Sequence, residues 1–286
     1  MKTPRSASSG SSTAYTVKAL VKALRILDCL AEDEQATLTL TELSRRLHLH
    51  VSTVHRLMVN LLRQGFVEID PATGGYSLGY RVLRMGLRVL DRLDYRRVAQ
   101  PLLRELNQKT QETVHMAILQ GDRAISIEKF SSPQPVGLDP RLGRLMPLHS
   151  TGVGKTLLAF QREEPEILRD LPLERHTAHT ITTLPELRKE LARIREQGYA
   201  LDEEETVVGL RCVAGPLLDH LGQIVAAFSV AGPSTRMTPE RTPEIARLVK
   251  ETSREISYRL GYKSTAGAEA RSRDGRSQAE EDTAKG

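Results

Sequence analysis

The sequence predicts an α+β fold of two domains, on three observations. The chain has 286 residues, 39% of them hydrophobic, which is enough to build two cores. Apolar residues recur at helical spacing through residues 17–64, and a short hairpin pattern follows up to residue 80. Beyond residue 98, helical and strand patterns alternate and are joined by hairpin turns, which favours a mixed sheet over a continuous parallel one.

Apolar periodicity and amino-acid composition predict the boundaries of the two domains and of the segments around them. We expect the N-terminal domain at 17–80, a linking helix at 81–97 and the second domain at 98–263. Residues 1–16 are rich in Ser, and residues 264–286 lack periodic apolar positions. Both segments are therefore expected to be disordered tails.

Two helices are predicted to open the N-terminal domain. The first should end near Ala31, because apolar residues recur at helical spacing, namely Leu20, Leu24, Leu27 and Ala31. After a polar loop, Thr39 and Glu42 stand at the spacing of a capping box, which starts the second helix. Its apolar stripe consists of Leu40, Leu43 and Leu47.

A third helix and a hairpin complete the domain. The helical pattern breaks near residues 48–50 and resumes at Val51, with one apolar side formed by Val54, Leu57, Leu61 and Leu62. Gly65 stands where a helix needs a left-handed residue at its end. Strands at 66–69 and 76–78, with a turn at 70–75, then form a hairpin. This order of elements is typical of a winged helix-turn-helix.

The third helix presents polar and basic side chains away from its apolar side, and these, with two arginines of the second helix, are the predicted DNA contacts. Residues 44–64 contain four Arg and three His but no Asp or Glu, whereas residues 17–80 balance seven basic against seven acidic residues. Counterion release at phosphates gives such a cluster affinity, while side chains at base edges give it selectivity. The candidate contacts are Arg45, Arg46, Ser52, Thr53, His55, Arg56 and Asn60.

Some of these assignments leave alternatives open. Arg56 is the first candidate for a base edge, since a guanidinium pairs with guanine in bidentate fashion, but a phosphate contact or a solvated face is the alternative. Ser52 and Thr53 stand at the helix start, so they either contact DNA, hold a phosphate through the helix N-terminus or cap the helix.

The linking helix is predicted to be basic on one face. Residues 81–97 contain six Arg and two Asp. Apolar positions at Leu83, Leu87, Leu90 and Leu93 form its packing face. Arg81, Arg84 and Arg88 lie on another face, which either touches phosphates or is simply solvated.

The second domain is predicted to combine hairpins with helices. A helix over 98–109 precedes a hairpin over 113–130 that turns at Gly121, and later strands lie at 199–205, 211–218 and 223–230. Further helices are expected at 154–160, 163–171, 185–197 and 238–260. A sheet of this kind can bind a small molecule.

Several other classes of protein fit the sequence poorly. There is neither an apolar stretch of membrane-spanning length nor an N-terminal secretion signal, so we expect a cytoplasmic protein with no membrane partner. Cys29 and Cys212 are expected to be reduced. Residues 149–156 resemble a phosphate-binding loop, but His149 stands where that motif requires glycine. Cys212 as a nucleophile and His176 with His179 as a metal site lack companion residues, so no catalytic residue, metal or cofactor is predicted.

A series of motifs in a fixed order carries a family resemblance. They are Leu-Thr-Glu-Leu-Ser-Arg-Arg-Leu, Ser-Thr-Val-His-Arg-Leu, Gly-Phe-Val-Glu, Pro-Leu-His-Ser-Thr-Gly-Val-Gly-Lys-Thr-Leu-Leu-Ala, Arg-Glu-Gln-Gly-Tyr-Ala-Leu-Asp-Glu-Glu-Glu, Gly-Leu-Arg-Cys-Val-Ala-Gly-Pro and Phe-Ser-Val-Ala-Gly-Pro. On these motifs, residues 17–261 resemble the IclR family of bacterial transcription regulators. The resemblance implies a winged helix that dimerises on DNA and a GAF-like domain that binds a small organic effector.

The resemblance also implies an effector site. By motif position its residues are Leu138, Met146, Gly152, Val153, Asp202, Leu210, Cys212 and Ser229. Glycines at a helix start let backbone N–H groups approach an anion, which fits a carboxylate or aromatic acid. Ala231 replaces a serine that family members with small-acid effectors carry, and Pro135 stands at a position that lines the pocket, so the effector's identity does not transfer.

The sequence thus predicts a dimeric or tetrameric regulator that binds a pseudo-palindromic duplex and a small effector. The wing has Gly75 and Ser77 where basic residues are frequent, so wing contacts with the DNA backbone are not assigned. Two rivals remain. One is a metabolic enzyme carrying a nucleic-acid module, and the other is an architectural DNA-binding protein whose second domain only oligomerises.

Overall fold

The computed structural model describes residues 17–33, 37–135, 141–162 and 166–263. The chain divides into two compact units, Met1–Arg92 and Leu93–Gly286. The expected tails, Leu138 and part of the helix expected at 163–171 lie outside the described residues. No helix among the described residues is long and apolar enough to cross a membrane.

The first unit contains three helices, a hairpin and a fourth helix. Its elements are α1 (Lys18–Glu32), α2 (Leu40–Leu47), α3 (Val51–Arg63), β1 (Val67–Ile69), β2 (Tyr76–Leu78) and α4 (Tyr80–Asp91). The two strands pair antiparallel, and Leu38 adds a bridge to Tyr76. The core is formed by Ile26, Leu38, Leu43, Leu47, Val54, Met58 and Val67.

Local sequence signals account for the ends of α2 and α3. Thr39 and Glu42 form the predicted capping box, and His48 ends α2 in the left-handed region at φ 53°. Gly65 has φ +70°, and Phe66 donates its N–H to the Leu61 carbonyl at 2.9 Å, as in a Schellman motif. These ends fix the angle at which α3 follows α2 and enters the hairpin.

The second unit is a six-stranded antiparallel sheet with helices on both faces. Its elements are α5 (Asp94–Thr110), β3 (Thr113–Gln120), β4 (Arg123–Phe130), β5 (Leu145–Pro147), α6 (Gly152–Ala159), α7 (Leu184–Gln197), β6 (Ala200–Glu203), β7 (Leu210–Leu218), β8 (Ile224–Pro233) and α8 (Thr242–Arg259). The strand order is β5-β4-β3-β8-β7-β6. Helices α5 and α8 contact one face, and α6 contacts the other, with α7 packed on α6. The predicted α+β class is confirmed.

Two local expectations differ from the structure, and one strand was not expected. The helical run does not break after residue 97; α4 ends at Asp91, and α5 begins at Asp94 because Leu93 leaves the helical region at ψ 79°. Residues 166–169 form a single 3-10 turn where a longer helix was expected. Strand β5 was not predicted, since three residues are too few to show a periodic pattern.

Candidate functional site

The exposed side of α3 carries most of the predicted DNA contacts. Val54 and Met58 are buried under the helix, while Ser52, His55, Arg56 and Asn60 are exposed and Thr53 is half-buried. Asn60 donates a side-chain hydrogen bond to the Arg56 carbonyl at 2.8 Å. His50 is the N-cap residue and makes no side-chain cap, so neither Ser52 nor Thr53 serves as the cap of this helix.

Arginines outside α3 differ in how the fold holds them. Arg45 is exposed on α2, whereas Arg46 forms an ion pair with Asp33, whose side chain is only 5% exposed. Arg81 donates to the Gln64 carbonyl at 2.8 Å and lies 4.8 Å above the ring of Phe66. Arg81 therefore braces the end of α3 against the start of the hairpin. Arg84 and Arg88 are exposed.

In the second unit, the N-terminus of α6 presses against two neighbouring strands. An added Cβ at Gly152 would lie 2.7 Å from Sγ of Cys212, 3.2 Å from Cβ of Ala214 and 3.9 Å from Cβ of Asp202. Only glycine allows this approach. Thr151 caps the helix by accepting from the Gly154 N–H at 3.1 Å.

Strand register extends this contact across the sheet, because directly paired residues place their side chains on the same face. One row runs through Asp202, Cys212, Ala231 and Thr113. The next row runs through Ala200, Ala214, Ser229 and His115. The predicted residues Asp202, Cys212 and Ser229 therefore share the α6 face of the sheet.

Buried charges lie beside this face. Lys155 of α6 is 1% exposed and donates to Glu205, and its Nζ lies 3.8 Å from Oε1 of Glu190. Burial raises the pKa of Glu205 to about 7, against the attraction of Lys155. Burial likewise raises the pKa of Asp202 to about 6, although Asp202 accepts from the Glu205 N–H at 2.8 Å. Both carboxyl groups are thus close to taking up a proton near neutral pH.

Ser229 is paired with a histidine that sequence reasoning did not single out. Its Oγ lies 3.1 Å from Nδ1 of His115. His115 is 4% exposed, and burial lowers its pKa to about 4, so the ring is neutral at physiological pH. Nε2 of His115 has no hydrogen-bond partner among the described residues.

The remaining predicted site residues are apolar. Val153 and Met146 belong to the core that packs under α6, and Leu210 begins β7 half-buried. Burial raises the pKa of the Cys212 thiol, so it stays protonated and is a poor nucleophile. The described residues include no group of three or more His, Cys, Asp or Glu side chains placed to hold a metal ion.

Sequence reasoning missed His115, Lys155 and Glu205. One signal was present for Lys155, which interrupts an otherwise small and apolar helix, Gly-Val-Gly-Lys-Thr-Leu-Leu-Ala. Glu205 ends an acidic run that resembles a solvated face, and His115 occupies an ordinary strand pattern. Neither position carries a local signal, because the burial of each depends on elements distant in sequence, β8 for His115 and α6 for Glu205.

Comparison with known proteins places both units in one family. The profile described as "IclR helix-turn-helix domain" matches residues 19–71, and "Bacterial transcriptional regulator IclR C-terminal" matches residues 87–258. The HTH-type transcriptional regulator BhcR of Paracoccus denitrificans is 37% identical over 256 residues, covering 89% of this chain and 91% of BhcR.

Solved structures agree with these matches. The IclR of Thermotoga maritima superposes with a TM-score of 0.69 at 35% identity, covering 85% of this chain and 98% of that one. An IclR homologue from Microbacterium hydrocarbonoxydans, complexed with 4-hydroxybenzoate, has a TM-score of 0.74 at 25% identity and covers 85% of this chain and 98% of its own. The chain belongs to the IclR family of DNA-binding transcriptional regulators.

Proposed function

We propose that this regulator senses a small organic acid, which binds at the N-terminus of α6 and changes the protein's affinity for DNA. The observation that carries the proposal is the close approach of Gly152 to Cys212 and Asp202, with Ser229 in the adjacent row. This approach places the first turn of a buried helix beside polar side chains of the sheet, where the neighbouring residues are small.

Electrostatics favour an anion of limited charge. A helix N-terminus offers backbone N–H groups and a partial positive charge, both of which attract a carboxylate. Asp202 would repel it when ionised, but its raised pKa allows it to hold a proton and donate a hydrogen bond. The complex of the Microbacterium homologue with 4-hydroxybenzoate supports the same class of ligand.

The DNA-binding part of the proposal rests on the exposed side of α3. We assign Arg56 to a base edge, and we assign Arg45, Ser52, Thr53, His55 and Asn60 to the surrounding phosphate and base contacts. Arg46 contributes less directly, because it is already paired with Asp33. Wing contacts are not part of the proposal.

Exposed apolar side chains on α1 support a further part of the proposal, that the protein self-associates. Leu20 is 57% exposed and Leu24 is 51% exposed, and with Val17 and Val21 they form one face of the helix. Such a stripe is costly in water and is covered when two copies pair. A two-fold dimer would present two copies of α3 to a pseudo-palindromic duplex.

The test combines DNA binding with ligand binding. Fluorescence anisotropy would measure affinity for duplexes taken from upstream of genes adjacent to this reading frame and for shuffled duplexes of equal length. Thermal shift would screen carboxylates, including 4-hydroxybenzoate, for ligands that stabilise the protein. We expect selective binding to an upstream duplex and an acid that changes it. Equal, purely salt-dependent binding to every duplex, or selective binding that no stabilising acid alters, would contradict the proposal.

A further inference from the structure

We infer that His115 forms a hydrogen bond with a second, uncharged oxygen of the effector, one that lies several atoms away from the carboxylate. The inference rests on the proposed function, since it takes the carboxylate to sit at the N-terminus of α6. It assigns to the ligand a chemical class, the oxygenated monocarboxylic acids, and to the site a polar residue on β3.

His115 lies on the same face of the sheet as the proposed carboxylate site. Ala214 contacts the start of α6, Ser229 pairs with Ala214, and His115 pairs with Ser229. Adjacent strands lie ~4.8 Å apart, so the His115 backbone is roughly 10 Å from that of Ala214. A ligand that reaches from α6 to the imidazole needs several atoms between its two polar ends.

The unpaired ring nitrogen supplies the chemical argument. Buried polar atoms are satisfied in folded proteins, and each exception requires an explanation. Nε2 of His115 is such an exception among the described residues, and so is Oγ of Ser126 on the next strand, which faces the same side opposite Ala117. A bound oxygen within reach of this end of the face would satisfy a group that is otherwise costly to bury.

The protonation state limits what that oxygen can be. A neutral imidazole has one N–H and one acceptor, and here Nδ1 is engaged with the Ser229 hydroxyl. If Ser229 donates to Nδ1, Nε2 carries the proton and donates; if Nδ1 donates to Ser229, Nε2 accepts. A ligand hydroxyl satisfies both arrangements and a carbonyl satisfies the first. A second carboxylate beside His115 would meet a neutral ring, which offers it at most one hydrogen bond and no charge, so an uncharged oxygen fits this position better.

Matched ligand pairs test this reading. Calorimetric titration of the full-length protein would compare benzoate, 2-hydroxybenzoate and 4-hydroxybenzoate, and butyrate with 4-hydroxybutyrate. We expect the remote oxygen to improve affinity roughly tenfold, as a satisfied buried hydrogen bond does. An oxygen adjacent to the carboxylate should gain little, because it does not reach His115.

Variants locate the effect. In His115→Phe the affinity ratio between the oxygenated and the plain acid of each pair should fall to about one. His115→Gln keeps a hydrogen-bonding group, so it should retain part of this ratio. Met116→Leu is the matched control, because Met116 is equally buried on β3 but pairs with Phe228 on the opposite face. It should keep the wild-type ratio.

A measurement on the wild-type protein covers the case in which His115→Phe does not fold. With ¹⁵N-labelled histidine, the oxygenated acid should shift the Nε2 resonance of His115 and fix one tautomer, and the plain acid should not. Binding of both members of each pair with equal affinity would overturn the role of His115 while leaving the acid sensor intact. Binding of none of these acids would overturn the acid sensor and this inference together.

Discussion

The ammonium of Lys155 donates a hydrogen bond to the carboxylate of Glu205 at a position where the two side chains are 1% and 9% exposed. Lys155 belongs to α6, and Glu205 follows β6, so the pair joins the helix of the proposed effector site to the edge of the sheet. Charges that are removed from water in this way are stable only together. The pair therefore holds α6 in place.

Replacing Lys155 with Met should destabilise the protein by about 3 kcal/mol, because Glu205 and nearby Glu190 lose their shared cation. The loss should be larger at alkaline pH. Burial raises the pKa of Glu205 to about 7, so below that pH the carboxyl can become neutral and tolerate the missing ammonium. Urea denaturation at several pH values measures both effects.

Lys189→Met is the control for this substitution. Lys189 lies on α7 and is exposed, so its loss should change the free energy of unfolding by less than about 0.5 kcal/mol. The double variant Lys155→Met/Glu205→Gln should be less destabilised than the sum of its single changes. Additive single and double variants would show that the two side chains are not coupled.

Affinity for a carboxylate ligand should rise as the pH falls from about 8 to 6, because protonated Asp202 donates a hydrogen bond and removes a like charge. The pKa of Asp202 is raised by burial to about 6. Above that value the protonated fraction falls about tenfold per pH unit, and below it the affinity should level off. Calorimetric titration of any acid that stabilises the protein would record the profile.

Asp202→Asn should flatten this profile, since an amide donates at every pH. Glu203→Gln is the neighbouring control, because Glu203 is exposed on the same strand and should leave the pH dependence unchanged. A wild-type affinity that does not vary between about pH 6 and 8 would remove Asp202 from the site.

Local signals were sufficient to predict the first three helices and the hairpin of the first unit. The capping residues of α2, the left-handed Gly65 and the short hairpin are all determined by residues within a few positions of one another. The interruption at Leu93 was not predicted, because the apolar spacing continues through it and the break lies only in the backbone. Periodicity indicates which face packs, not where a helix bends.

The proposed effector site could be predicted only in part, because it is formed by contacts between distant parts of the chain. Ser229 and His115 are 114 positions apart, yet they share a hydrogen bond because β3 and β8 are neighbours in the sheet. Motif resemblance supplied Ser229, but strand order was needed to find His115. Local patterns likewise carry no information about the burial of Glu205, which arises from its approach to α6.

Gly152→Ala should disturb α6 and the acid site. The added Cβ would lie 2.7 Å from Sγ of Cys212, and overpacking of this kind costs about 1–3 kcal/mol. Gly86→Ala is the matched control, because Gly86 lies in α4 with open space around it and alanine there should stabilise the helix by up to ~1 kcal/mol. Thermal denaturation distinguishes the two outcomes.

A compensating change sharpens this test. Cys212→Ala removes the atom that the new methyl group meets, so Gly152→Ala/Cys212→Ala should recover part of the stability lost in Gly152→Ala. If the double variant is no more stable than Gly152→Ala alone, the strain arises elsewhere. The contact between α6 and Cys212 of β7 would then not be the reason that position 152 requires glycine.

Arg56→Ala and Arg46→Ala should fail in different ways. Arg56 is exposed, so its loss should leave stability within about 0.5 kcal/mol but reduce discrimination at one base pair by about 1–3 kcal/mol. Arg46 forms an ion pair with the nearly buried carboxylate of Asp33, so Arg46→Ala should destabilise the first unit and weaken binding to all duplexes alike. Anisotropy with single-base operator variants, alongside urea denaturation, separates these effects. Unchanged discrimination in Arg56→Ala would mean that this arginine contacts phosphate or solvent, and that the base-reading residue lies elsewhere on α3.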